Sequence, residues 1–244
     1  MIRQKYKIGD LMSFLEFDET RDFPYYKNNP RISKKGWLLL LFMVPVALIL
    51  YSLSSSMFNS DIIGSLIFCL LLLVPLLYLS NWDYGLLFYR PTRDEIILAV
   101  LMFVGYMAYS IIVGSVLDAY GLSGMEGGAE TFGITVETTI GLIFSMMGEE
   151  LVKLIPLMFL MRFVYKFTSN RNLAIAVSSI IILIGFGLLH YAPPYSTVIS
   201  VLALQGFGTI FELYGYLRTK NLFVPYISHL LTDAFVFIII LLGM

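Results

Sequence analysis

The sequence predicts an all-α fold, a polytopic membrane bundle of about seven transmembrane helices. Three observations predict it. The chain is 58% hydrophobic and 14% charged over 244 residues, whereas a soluble domain is usually about a quarter charged and under half apolar. Its apolar residues gather into seven runs, each near the length of about 20 residues that crosses a hydrocarbon core. The Lys and Arg residues between those runs fall only in alternate connections, as they do where loops face the cytoplasm.

The first expected unit is a cytoplasmic N-terminal segment, residues 1–35, with 8 basic and 5 acidic side chains. It has no early apolar core before a small-residue cleavage site, so it does not read as a signal peptide. Leu11, Phe14, Leu15 and Phe17 suit a short interfacial helix; a flexible tail that also carries Phe23, Tyr25 and Tyr26 is the other reading.

The second unit, residues 36–244, holds the spans. They are expected near Trp37–Leu53, Ile62–Leu79, Ile96–Val116, Thr138–Phe163, Leu173–His190, Thr197–Leu217 and Phe223–Leu242. Arg90 and Arg93, then Lys166 and Arg171, then Arg218 and Lys220 follow the second, fourth and sixth spans. The intervening loops 54–61, 117–137 and 191–196 contain no Lys or Arg. The N-terminus is therefore expected inside. Loop 117–137 is Gly-rich and acidic, suited either to a mobile loop at a site entrance or to a plain linker. Trp37 and Trp82 read as interfacial belts. Cys69, the only cysteine, lies in an apolar run and reads as buried and inert; no intramolecular disulfide or thiolate cluster is possible. A net charge of −1 gives no basic field for nucleic acid.

Function is expected where ionisable residues interrupt the apolar spans. A charge at the bilayer centre costs about 2.5–3.5 kcal/mol on translocon scales, so such residues usually line a cavity. Glu149, Glu150 and Lys153 share the fourth span. Lys153 can reach either carboxylate along the helix, which suggests one neutralised Glu and one facing a cavity as a general base. Phe186 and His190 share a face, as do His229 and Asp233; the latter spacing lets Asp233 orient the imidazole. Glu212, near the end of the sixth span, reads as a structural residue reaching for the interface. Two carboxylates, two imidazoles and a further acid can activate water. They can also ligate zinc, with Glu149, His190 and His229 as candidate ligands.

The order Glu-Glu, Phe-x-x-x-His and His-x-x-x-Asp on successive helices resembles the CPBP family, the Abi or type II CAAX prenyl endopeptidase group of intramembrane proteases. The stretch from Gly206, Phe207 and Gly208 through Arg218-Thr219-Lys220-Asn221-Leu222, Pro225 and His229 adds to the likeness. Together these motifs cover about residues 138–237. The resemblance implies hydrolysis of a peptide bond in a membrane-associated peptide or protein. Glu149 would activate water with His190, while His229 and the residue at Asp233 would stabilise the oxyanion. The acid-rich outer loop and the lack of organelle signals fit a bacterial plasma membrane. Two departures stand out: the family form is Glu-Glu-x-x-x-Arg, but here position 154 is Leu and Lys153 comes one residue early. The last motif also often ends in Asn, and Asp233 cannot donate a hydrogen bond unless protonated. A non-catalytic peptide-binding, bacteriocin-immunity or scaffold protein is the alternative. A proton-coupled transporter is a third reading, although the sequence shows none of the inverted repeats such proteins often carry.

Depth poses a difficulty for a single site. Counting along the spans places His190 near the outer face and His229 in the inner third, and a span of about 17 residues moves the chain by about 25 Å at 1.5 Å per residue. The imidazoles can meet only if helices tilt, kink or start elsewhere; Pro193-Pro194 and Pro225 permit such irregularity.

Overall fold

A computed structural model of the chain describes residues 21–124 and 133–243. The proposed helix at Leu11–Phe17 and the glycines at 127 and 128 lie outside the described residues. Among those described there are seven long helices and no strands. They are α1 (Lys34–Phe58), α2 (Asp61–Leu79), α3 (Arg93–Ala119), α4 (Val136–Thr168), α5 (Arg171–Leu189), α6 (Val198–Thr219) and α7 (Phe223–Leu241). Six are long and apolar enough to cross a membrane. The exception is α4, because Glu149, Glu150 and Lys153 fall in its middle. It is also the longest, at 33 residues, and it packs against α2, α5 and α7.

Local chemistry starts the helices where it should. Ser60 and Asn170 accept from the backbone N–H three residues on, and Thr92, Thr135 and Thr197 form capping boxes with Glu95, Thr138 and Ser200. Each cap satisfies N–H groups that a helix start leaves without partners. Helix α4 ends on Ser169 and α6 on Lys220, both left-handed, with φ of 51° and 55°. That conformation turns the chain back and closes a hairpin.

Helix α6 is irregular. A π-helical turn spans Leu202–Gly206 and a 3-10 turn follows at Phe207–Thr209. Here α6 crosses α5 closely: a Cβ built on Gly187 would lie 2.8 Å from the Gly206 Cα and 2.9 Å from the Val201 carbonyl oxygen. Only glycine fits where two backbones meet at that distance.

The two hairpins resolve the depth difficulty. Glu149 lies twenty residues before, and His190 twenty after, the Ser169–Asn170 joint. Antiparallel packing therefore brings the two level, about 30 Å from the turn. In the second hairpin Glu212 and His229 each lie eight residues from the Lys220–Asn221 joint, about 12 Å from it. All four residues line one cavity. The second turn must then sit about 18 Å deeper in the bundle than the first. Its burial agrees: Lys220, Asn221 and Leu222 are only 3%, 0% and 1% exposed. Equal-depth loops were the wrong premise, since α4 and α5 run past the end of α6 and α7.

Neighbouring segments satisfy the buried turn. Leu222 N–H donates to the Leu87 carbonyl at 2.8 Å, Asn221 Nδ2 to the Tyr89 carbonyl at 3.1 Å, and the Tyr89 hydroxyl to the Thr219 carbonyl at 2.5 Å. Part of the N-terminal segment also belongs to the core. The Phe23 ring lies 5.9 Å from Tyr216 and 5.7 Å from the Lys220 ammonium. Tyr25, fully buried, joins its hydroxyl to Ser80 Oγ at 2.8 Å, and burial pushes its pKa up to about 12. Asp22 accepts from Lys27, the Tyr26 hydroxyl and Arg171 Nε at 2.8, 2.8 and 3.1 Å. Partial burial pushes the Asp22 carboxyl up, but these donors together hold it below the ordinary range. From residue 22 onward, then, the segment is docked rather than a free tail. Trp37 is likewise not an interfacial anchor: it is 3% exposed and packs on Tyr25 and Phe159. Trp82 is exposed and Cys69 buried, as expected.

Candidate functional site

The site is assembled from α4 outward. Glu149 and Glu150 are adjacent, so their side chains leave the helix about 100° apart. Glu150 turns into the protein and is 4% exposed. Its Oε1 forms an ion pair with Lys153 Nζ at 2.6 Å, one helical turn on. The same oxygen accepts a hydrogen bond from His229 Nδ1 at 2.8 Å. Glu149 turns the other way, and its side chain is 21% exposed.

His229 is thus clamped at Nδ1. With Nδ1–H given to Glu150, Nε2 faces the other acids, 3.8 Å from Glu149 Oε2 and 3.8 Å from Asp233 Oδ2. Neither distance is a hydrogen bond; each leaves space for a small shift or a shared water. The sequence suggested Asp233 as the orienting acid because of its i+4 spacing. The direct orienting contact comes instead from Glu150 on another helix, and Asp233 sits at the opposite nitrogen.

His190 caps α5. Its backbone N–H turns to the carbonyls of Gly187 and Leu188, which frees the Phe186 carbonyl. The imidazole takes that place, with Nδ1 2.9 Å from the Phe186 oxygen. A carbonyl can only accept, so Nδ1 carries the hydrogen and Nε2 of the neutral ring keeps its lone pair. The Phe186 ring packs edge-on against the imidazole, with centroids 4.8 Å apart. The expected shared face of these two residues is a real contact.

Glu149, His190, Glu212, His229 and Asp233 line a cavity of about 170 Å³, whose wall also includes Gln205 from the π turn of α6. The structure brings together all five predicted residues, with Glu150 behind His229. It also adds one that the sequence placed elsewhere. Glu212 is not at an interface: it is 3% exposed, lines the cavity and lies 3.8 Å from Lys153 Nζ. Lys153 is therefore shared by two buried carboxylates. The signal was present in the sequence as an ionisable residue inside a span. It was misread because Arg218 and Lys220 appeared to mark a nearby membrane surface, whereas that turn is buried.

As for zinc, among the described residues no three His, Cys, Asp or Glu side chains are grouped closely enough to hold a metal ion. The candidate set Glu149, His190 and His229 does not fit as it stands, and no step below is routed through a metal.

Residues 131–235 match the family model described as Type II CAAX prenyl endopeptidase Rce1-like. The matched segment is less than half of the chain, but it contains Glu149, Glu150, His190, His229 and Asp233. It agrees with the family likeness seen in the motifs. No curated protein and no solved structure matches the chain.

Proposed function

We propose that this integral membrane protein is an intramembrane endopeptidase of the CAAX-protease type, with Glu149 as the base that activates water. One observation carries the reading. An imidazole clamped by a buried carboxylate, His229 on Glu150, presents its other nitrogen to Glu149 and Asp233 across a cavity that His190 also lines. The family-model match supports the same reaction class.

The steps follow from the donors available. Water sits between Glu149 and the free Nε2 of His190. Glu149 removes a proton as the oxygen attacks the scissile carbonyl. His229, carrying hydrogens on both nitrogens, donates from Nε2 to the forming oxyanion, and Glu150 holds the ring in place. Glu149 then returns its proton to the leaving amine, so the C–N bond breaks and no net proton is lost. A positioned general base contributes about 10²–10⁴ in rate, and a single oxyanion donor about 10²–10³. The substrate is a membrane-associated peptide or protein. The one-sided Lys and Arg distribution supports a cytoplasmic N-terminal side, in a membrane of the bacterial plasma-membrane kind.

The test is cleavage of membrane-associated peptides by the purified protein in lipid nanodiscs. Glu149→Gln should abolish turnover while leaving the melting curve unchanged. Turnover surviving both Glu149→Gln and Glu150→Gln would overturn the reading.

A further inference from the structure

A second cavity, of about 250 Å³, adjoins the site. It shares two wall residues with the first, Glu149 and Asp233, and its remaining walls are different. Each bordering helix contributes a stripe of side chains. On α4 the stripe runs Thr138, Leu142, Ser145, Glu149, a helical repeat along one face. Thr138 to Glu149 covers eleven residues, about 16 Å of rise. Asp61 and Ser65 on α2, and Tyr51 and Ser54 on α1, supply the facing wall. The cavity is therefore elongated along the bundle. It begins where α2 and α4 begin, at Asp61 and Thr138, and ends at the Glu149 carboxylate. Ser60 Oγ donates to Glu137 Oε1 at 2.5 Å, which ties the two helix starts together at this end.

The wall chemistry suits water. Ser54, Ser65 and Ser145 are buried, at 3%, 2% and 1% exposed. Ser54 and Ser145 donate to carbonyls one turn back, those of Tyr51 and Gly141. Their lone pairs can accept, and the Tyr51 hydroxyl already meets Ser65 and Ser145. A buried water needs two to four polar partners; Ile134, Leu142, Met146 and Phe237 make part of this wall apolar, but Asp61, Ser65, Thr138, Ser145 and Glu149 set hydroxyls and carboxylates beside them from one end to the other. Hydrolysis inside a bilayer consumes a molecule that the surrounding lipid excludes, so the reacting carboxylate needs a supply.

We propose that the α1–α2–α4 cavity is a hydrated passage that brings water to Glu149 from the helix-start end of the bundle. The use of that water rests on the endopeptidase reading; the hydration does not.

The experiment separates the two. In the full-length protein with Cys69→Ala, single cysteines are placed by Ser145→Cys and Ser65→Cys in the passage. Ser178→Cys, on α5 at a site that is 0% exposed and lines neither cavity, is the reference. Aminoethyl methanethiosulfonate reacts with hydrated, ionised thiols. Modification at both passage positions is expected to be at least about tenfold faster than at Ser178→Cys. Rates at both positions no faster than the reference would overturn the passage whether or not the protein cleaves peptides. A bulky benzyl thiosulfonate on Ser145→Cys is then expected to lower kcat with KM unchanged. A raised KM at constant kcat would make this a peptide path and overturn the assignment.

Discussion

His229 Nδ1 and Glu150 Oε1 are joined at 2.8 Å between two helices whose sequence positions lie 79 residues apart. The same oxygen holds Lys153 at 2.6 Å, so one buried atom fixes a cation and the ring together. Glu150 and Glu149 are neighbours in sequence, yet the structure gives them opposite tasks, one holding the frame and the other facing the cavity.

Substitutions should separate those tasks. Glu150→Gln removes the carboxylate from a buried pair and leaves Lys153 with Glu212 at 3.8 Å. Removing one partner of a buried pair typically costs about 3–5 kcal/mol. Unfolding in SDS titrations should shift by that order, and Glu149→Gln should leave the midpoint close to wild type. A Glu150→Gln protein as stable as wild type would refute the assignment of Glu150 to the frame.

Asp233→Asn should be mild. Asp233 lies 3.8 Å from His229 Nε2, without a direct hydrogen bond. Its replacement should lower kcat/KM by less than the roughly hundredfold that loss of a direct transition-state contact costs. A larger fall would mean that Asp233 closes onto the ring or the substrate during turnover.

Gly187→Ala should be costly although it adds one methyl group. That carbon would lie 2.8 Å from the Gly206 Cα and 2.9 Å from a backbone oxygen. Backbone cannot rotate aside as a side chain can, and overpacking of this kind costs about 1–3 kcal/mol. Because the crossing also sets the position of His190 against α6, activity should fall further than stability predicts. Gly185→Ala, where a Cβ meets nothing within 4 Å, is the matched control.

The Asp22 cluster should give the protein an acid-sensitive term. The folded-state pKa of Asp22 is held below the ordinary aspartate value by Lys27, Tyr26 and Arg171. Its contribution is therefore fully present above the unfolded value and is lost as pH falls through the folded one. Melting temperatures between about pH 5 and pH 2 should drop more in the wild type than in Asp22→Asn. Parallel curves would show that the Lys27, Tyr26 and Arg171 contacts add nothing. The carboxylate is 41% exposed, so solvent screening keeps the effect small.

Orientation can be read with two exposed tyrosines, Tyr84 and Tyr120, which lie in connections after α2 and at the end of α3. With Cys69→Ala, an impermeant maleimide on intact cells should label Tyr120→Cys and spare Tyr84→Cys. The reverse pattern would put the N-terminal side outside.

The helices were legible in the sequence because a bilayer imposes a length and a polarity that composition alone reveals. The predicted limits of α2 and α7 differ from the observed ones by one residue at one end only. The ionisable residues of the site were legible for the same reason, since little else explains Glu149, Glu150 and His229 in apolar runs. Position in depth was not legible. Span-counting treats every loop as lying at a surface, and the 219–222 turn is buried. That premise misplaced Glu212 and separated His190 from His229. The docking of Phe23, Tyr25 and Tyr26 was hidden too, because three aromatics among charges in a short non-helical stretch show no period to read.

The burial of that turn also sets an order of assembly. Phe23 rests on Tyr216 and beneath Lys220, which are synthesised nearly two hundred residues later. The Phe23 part of that seat exists only once α6 has been made, whereas Tyr25 and Asp22 meet Ser80 and Arg171, which precede it in the chain. Contacts so distant along the chain form slowly. The contacts of Phe23 with Tyr216 and Lys220 therefore close this end of the bundle only after the helices that carry those two residues are in place.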